Sequence, residues 1–121
     1  MNVVLAMRHA QARLALELAL SVEPGVTIVG EASETEGMLA LARTAQPDLV
    51  VLEWGLPGRP PAHVLAEAQA LVRPLRFLVL ACDPHLKQPA LQAGACAFVL
   101  VGDPPELLLA AVRQARAALR P

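Results

Sequence analysis

Aromatic side chains are nearly missing from this 121-residue chain: Trp54, Phe77 and Phe98 are the three, and tyrosine is absent. So sparse a set excludes the stacking platforms that hold single strands or RNA. Lysine occurs once, at Lys87, against nine arginines, and asparagine once, at Asn2; the bias reads as that of a GC-rich bacterial genome. Charge is also scarce, at 17% of residues with a net of −1, which excludes a nucleic-acid binder working by bulk electrostatics. No apolar run has the length of a bilayer span, and residues 1–20 lack a charged start and a cleavage site. The expected location is the cytoplasm, with no membrane partner. The two cysteines, Cys82 and Cys96, form no CxxC pair and have no histidines at zinc spacing. They are expected as free, mostly buried thiols in a reducing compartment.

Apolar residues make up 55% of the chain, which excludes disorder and supplies a core for one domain spanning residues 1–121. Five continuous apolar runs recur: Val3–Ala6, Val26–Val29, Leu49–Leu52, Phe77–Leu80 and Ala97–Val101. Continuous rather than alternating runs suit parallel strands covered on both faces. Helical spacing fills the intervals, with Leu14, Ala15 and Leu18 sharing a face in the first and Met38, Leu41 and Ala42 in the second. Leu107, Leu108, Ala111, Ala115 and Ala118 recur at helical intervals in the last. Ser33 followed by Glu36 reads as a capping box. Gln46-Pro47-Asp48 stops the second helix, and Asp103-Pro104 opens the last one. Pro89 lacks an amide donor, so the fourth helix is expected to start near it and end about Ala93, leaving His85–Gln88 as a loop. The pattern is (βα)5, an α/β fold with a doubly wound parallel five-stranded sheet.

Function in such sheets lies at the carboxyl ends of the strands, here Ala6–His9, Glu31–Ser33, Glu53–Gly58, Ala81–His85 and Val101–Pro105. Common catalytic signatures are missing: there is no GxGxxG, phosphate-binding loop, GxSxG or HExxH. Cys82 and His85 lack a third, orienting group for nucleophilic catalysis. A metal cluster of His9, Glu53, Asp83 and His85 is opposed by Arg8, a fixed cation that repels an ion and competes for carboxylates. No cofactor is expected, and no reaction.

The stretch VTIVGEASETEGMLALARTAQPDLVVLEWGLPG, residues 26–58, resembles the middle of a bacterial response-regulator receiver domain. The closest likeness is to receivers that precede a helix-turn-helix output domain. The likeness continues through RFLVLACD and ALQAGACAFVLVGDPPELLLAAV and covers essentially the whole chain. It implies a flavodoxin-like sheet in the order 2-1-3-4-5. It further implies a magnesium ion held by an acidic pair after the first strand and by an aspartate ending the third. That aspartate takes a phosphoryl group from a histidine kinase. A hydroxyl after the fourth strand and a lysine after the fifth contact the phosphoryl group, and the change passes to a face made by the fourth helix, fifth strand and fifth helix.

Carried over position by position, that chemistry is missing. Met7 and Arg8 stand at the acidic pair, Glu53 at the phosphoacceptor, Ala81 at the hydroxyl and Val101 at the lysine. Phe98, at the switch aromatic, and the turn Leu56-Pro57-Gly58 are kept. This is the pattern of a pseudo-receiver: a phosphorylation-independent signalling module that binds a protein partner and binds no nucleic acid itself. Glu53 is a tolerated acid rather than a constitutive phosphoryl mimic, since Ala81 and Val101 cannot register its charge. Arg8 is expected within ion-pair reach of Glu53. Trp54 reads as packing rather than as a binding anchor. Arg113, Arg116 and Arg120 form a basic stripe on the face implied by the family, and with Asp103 and Glu106 they suggest a homodimer. Two alternatives stay open. One is the amino-terminal regulatory domain of a DNA-binding transcription factor whose output domain lies beyond Pro121. The other is a small-molecule binder or enzyme on the same fold.

Overall fold

The computed structural model describes residues 1–70 and 75–119. Strands β1 (Asn2–Ala6), β2 (Thr27–Ala32), β3 (Leu49–Glu53), β4 (Arg76–Ala81) and β5 (Ala97–Leu100) alternate with helices α1 (Ala10–Ser21), α2 (Thr35–Ala45), α3 (Pro61–Gln69), α4 (Lys87–Gln92) and α5 (Pro105–Ala117). The strands form one parallel sheet in the order β2-β1-β3-β4-β5. Fold class and strand order are those expected from the sequence.

Successive side chains of a strand point to opposite faces, and the core divides accordingly. Val4, Val50, Leu52 and Phe77 pack with Met38, Leu39 and Ala42 of α2 and Val64, Leu65 and Ala68 of α3. Val3, Leu5, Leu49, Val51, Leu78 and Leu80 pack with Leu16 and Leu20 of α1 and Val112 and Ala115 of α5. Both faces are covered, so the strands need no polar alternation.

Local expectations fail where two physical solutions compete. Leucines stand at 14, 16, 18 and 20 of α1, so two stripes are equally apolar. The fold buries Leu16 and Leu20 and leaves Leu14 and Leu18 exposed. The Ser33–Glu36 capping box does not form: Glu34 is the N-cap, without a side-chain bond, and Glu36 pairs with Arg59 at 2.7 Å. The fourth helix begins earlier than expected, with a 3-10 turn over Pro84–Leu86 leading directly into α4. Pro89 is its third residue, and an amide in the first turn has no helical acceptor to lose.

Candidate functional site

The carboxyl ends of β1, β3, β4 and β5 surround a cavity of about 380 Å³. Parallel strands place all their ends on one edge, so residues distant in sequence meet there. Met7, Glu53, Ala81 and Val101 all line the cavity. With them are His9, Ala12, Trp54, Gly55, Leu80, Cys82, Asp83 and Leu86. Leu80, the last residue of an apolar run, and Ala12 and Leu86 lie outside the strand-end segments expected from sequence. An alanine on a helix and a leucine in a one-turn helix carry no sequence signal of a site.

Arg8 follows β1 and fastens two neighbouring groups. Its backbone N–H donates to Glu53 Oε1 at 2.9 Å, and its guanidinium donates to the Gly55 carbonyl at 3.1 Å. The expected ion pair is therefore replaced: the backbone amide, not the guanidinium, reaches the carboxylate. A main-chain donor already in place at the strand end leaves the long side chain free to reach the loop. Glu53 Oε2 accepts no hydrogen bond among the described residues.

The loop after β3 is held by a buried hydroxyl. Thr35 is fully buried; its N–H donates to the Pro57 carbonyl at 2.9 Å and its Oγ1 accepts from the Arg59 N–H at 3.0 Å. Gly58, between them, has φ +117°, and a Cβ there would lie 2.1 Å from Thr35 Oγ1. Only glycine meets both conditions.

On the other side, the Ala81 carbonyl accepts from the Val101 N–H at 2.8 Å, which closes the edge between β4 and β5 with two apolar side chains. Asp83 accepts from the His85 backbone N–H at 2.9 Å and lies 3.0 Å from its ring Nδ1. The backbone bond, followed by the ring bond, holds the Asp83 carboxyl below its ordinary range. Phe98 stands opposite Val79 on β4. Half-buried, it packs with Trp54 against Val79, Ala90 and Ala95.

Cys82 and Cys96 are free, as expected, but both are exposed rather than buried. Each sits just outside a strand, where the sheet no longer covers the chain. The arginine stripe is also redirected. Arg113 grips Glu23 with Nε at 2.5 Å from Oε1 and a second nitrogen at 3.1 Å from Oε2, and Arg116 donates to the Pro24 carbonyl. Glu23 is only 9% exposed and requires a cation, so these arginines close the loop before β2 instead of forming an open basic face. Arg120 lies outside the described residues. Asp103 is engaged locally, accepting from the Leu100 N–H at 3.1 Å.

The donors at this edge do not fit a magnesium ion. Such an ion takes carboxylate and carbonyl oxygens in octahedral array, but Met7 and Arg8 supply no oxygen side chain and Arg8 already occupies Glu53 Oε1 and the Gly55 carbonyl. Among the described residues no group of three or more His, Cys, Asp or Glu could hold a metal.

No family model matches the chain. The nitrate/nitrite response regulator NarL of Escherichia coli K12 is 32% identical over 111 residues, covering 90% of this chain and 51% of that protein. Among solved structures, the signal receiver domain of NarL from Mycobacterium tuberculosis superposes with a TM-score of 0.82 at 31% identity, covering 95% of each chain. The chain belongs to the response-regulator receiver family. A LuxR-family two-component response regulator from Aurantimonas sp. SI85-9A1, 24% identical, shares the fold with a TM-score of 0.89 over 98% of this chain. This receiver spans about half the length of the NarL protein it matches. Among the described residues no helix is long and apolar enough to cross a membrane.

Proposed function

We propose that this receiver works without phosphorylation, as a cytoplasmic protein-interaction module of bacterial signalling. The supporting observation is the double engagement of Arg8, whose amide takes Glu53 Oε1 and whose guanidinium takes the Gly55 carbonyl. A cation thus stands where a receiver needs acids. Glu53 places its carboxylate one methylene farther from the strand than an aspartate. Ala81 and Val101 offer neither a hydroxyl nor an ammonium to a phosphoryl group. Acetyl phosphate with magnesium, followed by intact-mass measurement, tests this: the mass is expected to stay unchanged, and a stoichiometric acid-labile adduct overturns the proposal.

The partner face is the one formed by α4, β5 and α5, and a second copy of the chain is the proposed occupant. Its elements carry exposed apolar side chains, Leu91 on α4, Val101 after β5 and Leu107 on α5, in place of the arginine stripe that Glu23 and Pro24 absorb. Sedimentation of the wild type against Leu91→Glu/Leu107→Glu tests the contact. A concentration-dependent dimer lost in the variant supports it; a wild-type monomer, or a dimer indifferent to both changes, refutes it.

The half-length match to NarL favours a second reading, in which this receiver is the amino-terminal regulatory part of a DNA-binding regulator. The gene sequence beyond Pro121 decides: a helix-turn-helix segment supports this reading, and a stop codon there removes it.

A further inference from the structure

The cavity at the sheet edge is walled mainly by carbon. Met7, Leu80, Ala81, Leu86 and Val101 present apolar atoms, and Trp54 stands beside them. Its volume of about 380 Å³ falls in the range of small-molecule sites, which combine an apolar wall with a few convergent polar groups. Here those groups are the Glu53 carboxylate, the His9 imidazole and Asp83, which His85 already engages; no arginine or lysine lines the cavity, and the Arg8 guanidinium is tied to the Gly55 carbonyl. Glu53 keeps Oε2 without a donor among the described residues. A carboxylate oxygen beside an apolar wall repels anions and leaves a neutral ligand's head only partly satisfied. A cationic head suits it.

We propose that this cavity binds a small amphipathic cation, an alkyl- or arylammonium whose apolar body lies against Met7, Leu86 and Val101 and whose head pairs with Glu53. The inference rests on the reading of this edge as one that has given up phosphoryl transfer, since a phosphorylated or metal-loaded edge would leave Glu53 unavailable. Such a ligand gives the receiver an input that requires no kinase: occupancy of the cavity touches Trp54, which packs with Phe98 and Ala90, next to the face formed by α4, β5 and α5.

Trp54 is the chain's one tryptophan and there is no tyrosine, so all of the indole emission comes from a residue that lines this cavity. The test titrates the whole chain with hexylammonium, 1-hexanol and hexanoate at matched ionic strength, following Trp54 emission and the methyl resonances of Met7, Leu86 and Val101. Hexylammonium is expected to give a saturable shift, hexanol to bind about tenfold more weakly, as one charge-assisted hydrogen bond implies, and hexanoate not to bind. Glu53→Gln should abolish the preference of ammonium over alcohol. Val101→Phe, a change at an exposed position, should block all three while the thermal midpoint holds. Equal response to the three probes, a preference that survives Glu53→Gln, or no saturable shift overturns the proposal. Acetyl phosphate treatment separates the two readings: an adduct would refute the phosphorylation-independent function whatever hexylammonium does, and an unchanged mass with no hexylammonium response would refute the ligand alone.

Discussion

Arg8 meets Glu53 through its main chain: the amide donates to Oε1 at 2.9 Å while the guanidinium turns away to the Gly55 carbonyl. The carboxylate is thus fixed by a donor that no substitution of Arg8 other than proline removes. Arg8→Ala deletes only the exposed contact to Gly55 and is expected to lower stability by no more than about 1 kcal/mol. Chemical denaturation measures this, and a loss of several kcal/mol would mean the guanidinium carries the site.

Glu23 and Arg113 make stability pH-dependent on the acid side. The hydrogen bonds from Arg113 are the main cause holding the Glu23 carboxyl below its ordinary value of 4.5, against the opposing effect of burial. A carboxyl with a depressed folded pKa stabilises fully above its unfolded value, and that contribution fades as pH falls through the folded one. Thermal midpoints are therefore expected to drop from about pH 4.5 downward, and Glu23→Gln should flatten that part of the profile while lowering stability at neutral pH.

Gly58→Ala is expected to destabilise by about 1–3 kcal/mol. The new methyl meets Thr35 Oγ1, and the backbone stays in a region that alanine avoids. Thr35→Ser, which keeps the oxygen, should cost less than Thr35→Val, which leaves the Arg59 amide without its acceptor. Urea midpoints of the three variants order these effects.

Phe77 is fully buried on β4, in the core shared with α2 and α3. Truncation to alanine is expected to cost about 3–5 kcal/mol, enough to unfold a large fraction of a domain of this size at elevated temperature. Circular dichroism during heating measures the shift.

Both thiols should react in the native state, since Cys82 and Cys96 are free and exposed. Partial burial pushes the Cys96 thiol above its ordinary value, which leaves less thiolate near pH 8. A thiol titration is expected to show two reactive groups without denaturant, with Cys96 reacting more slowly than a Cys96 unfolded in urea.

Strand positions were legible because both sheet faces are covered, which makes each strand a bare apolar run that turn residues interrupt. The five strand-end positions were legible for a related reason: Met7, Arg8, Glu53, Ala81 and Val101 follow directly from where those runs stop. What remained hidden depended on partners far away in sequence. Nothing near Arg113 says that Glu23 will need it, and nothing near Arg8 says that its amide will satisfy Glu53 before its side chain can. The α1 face was undecidable locally, because alternate leucines give two equal stripes and only the position of the sheet selects one. Pro89 misled through a rule about helix interiors, while it sits in a first turn where that rule does not apply.

The bond from Arg113 to Glu23 joins residues 90 positions apart, and this sets an order of events during synthesis. Local pairing of β1, β2 and β3 can begin as soon as those segments leave the ribosome, but an acid in the loop before β2 then waits for a cation carried by the last helix. Contacts of such long separation form late. A nascent chain interrupted before α5 therefore holds an ionised Glu23 with no counter-charge and an uncovered sheet face over Leu78, Leu80 and Val99, the kind of sticky intermediate that chaperones retain. Release of α5 covers the apolar face and neutralises the acid in one step, so folding of this domain is completed by its final helix.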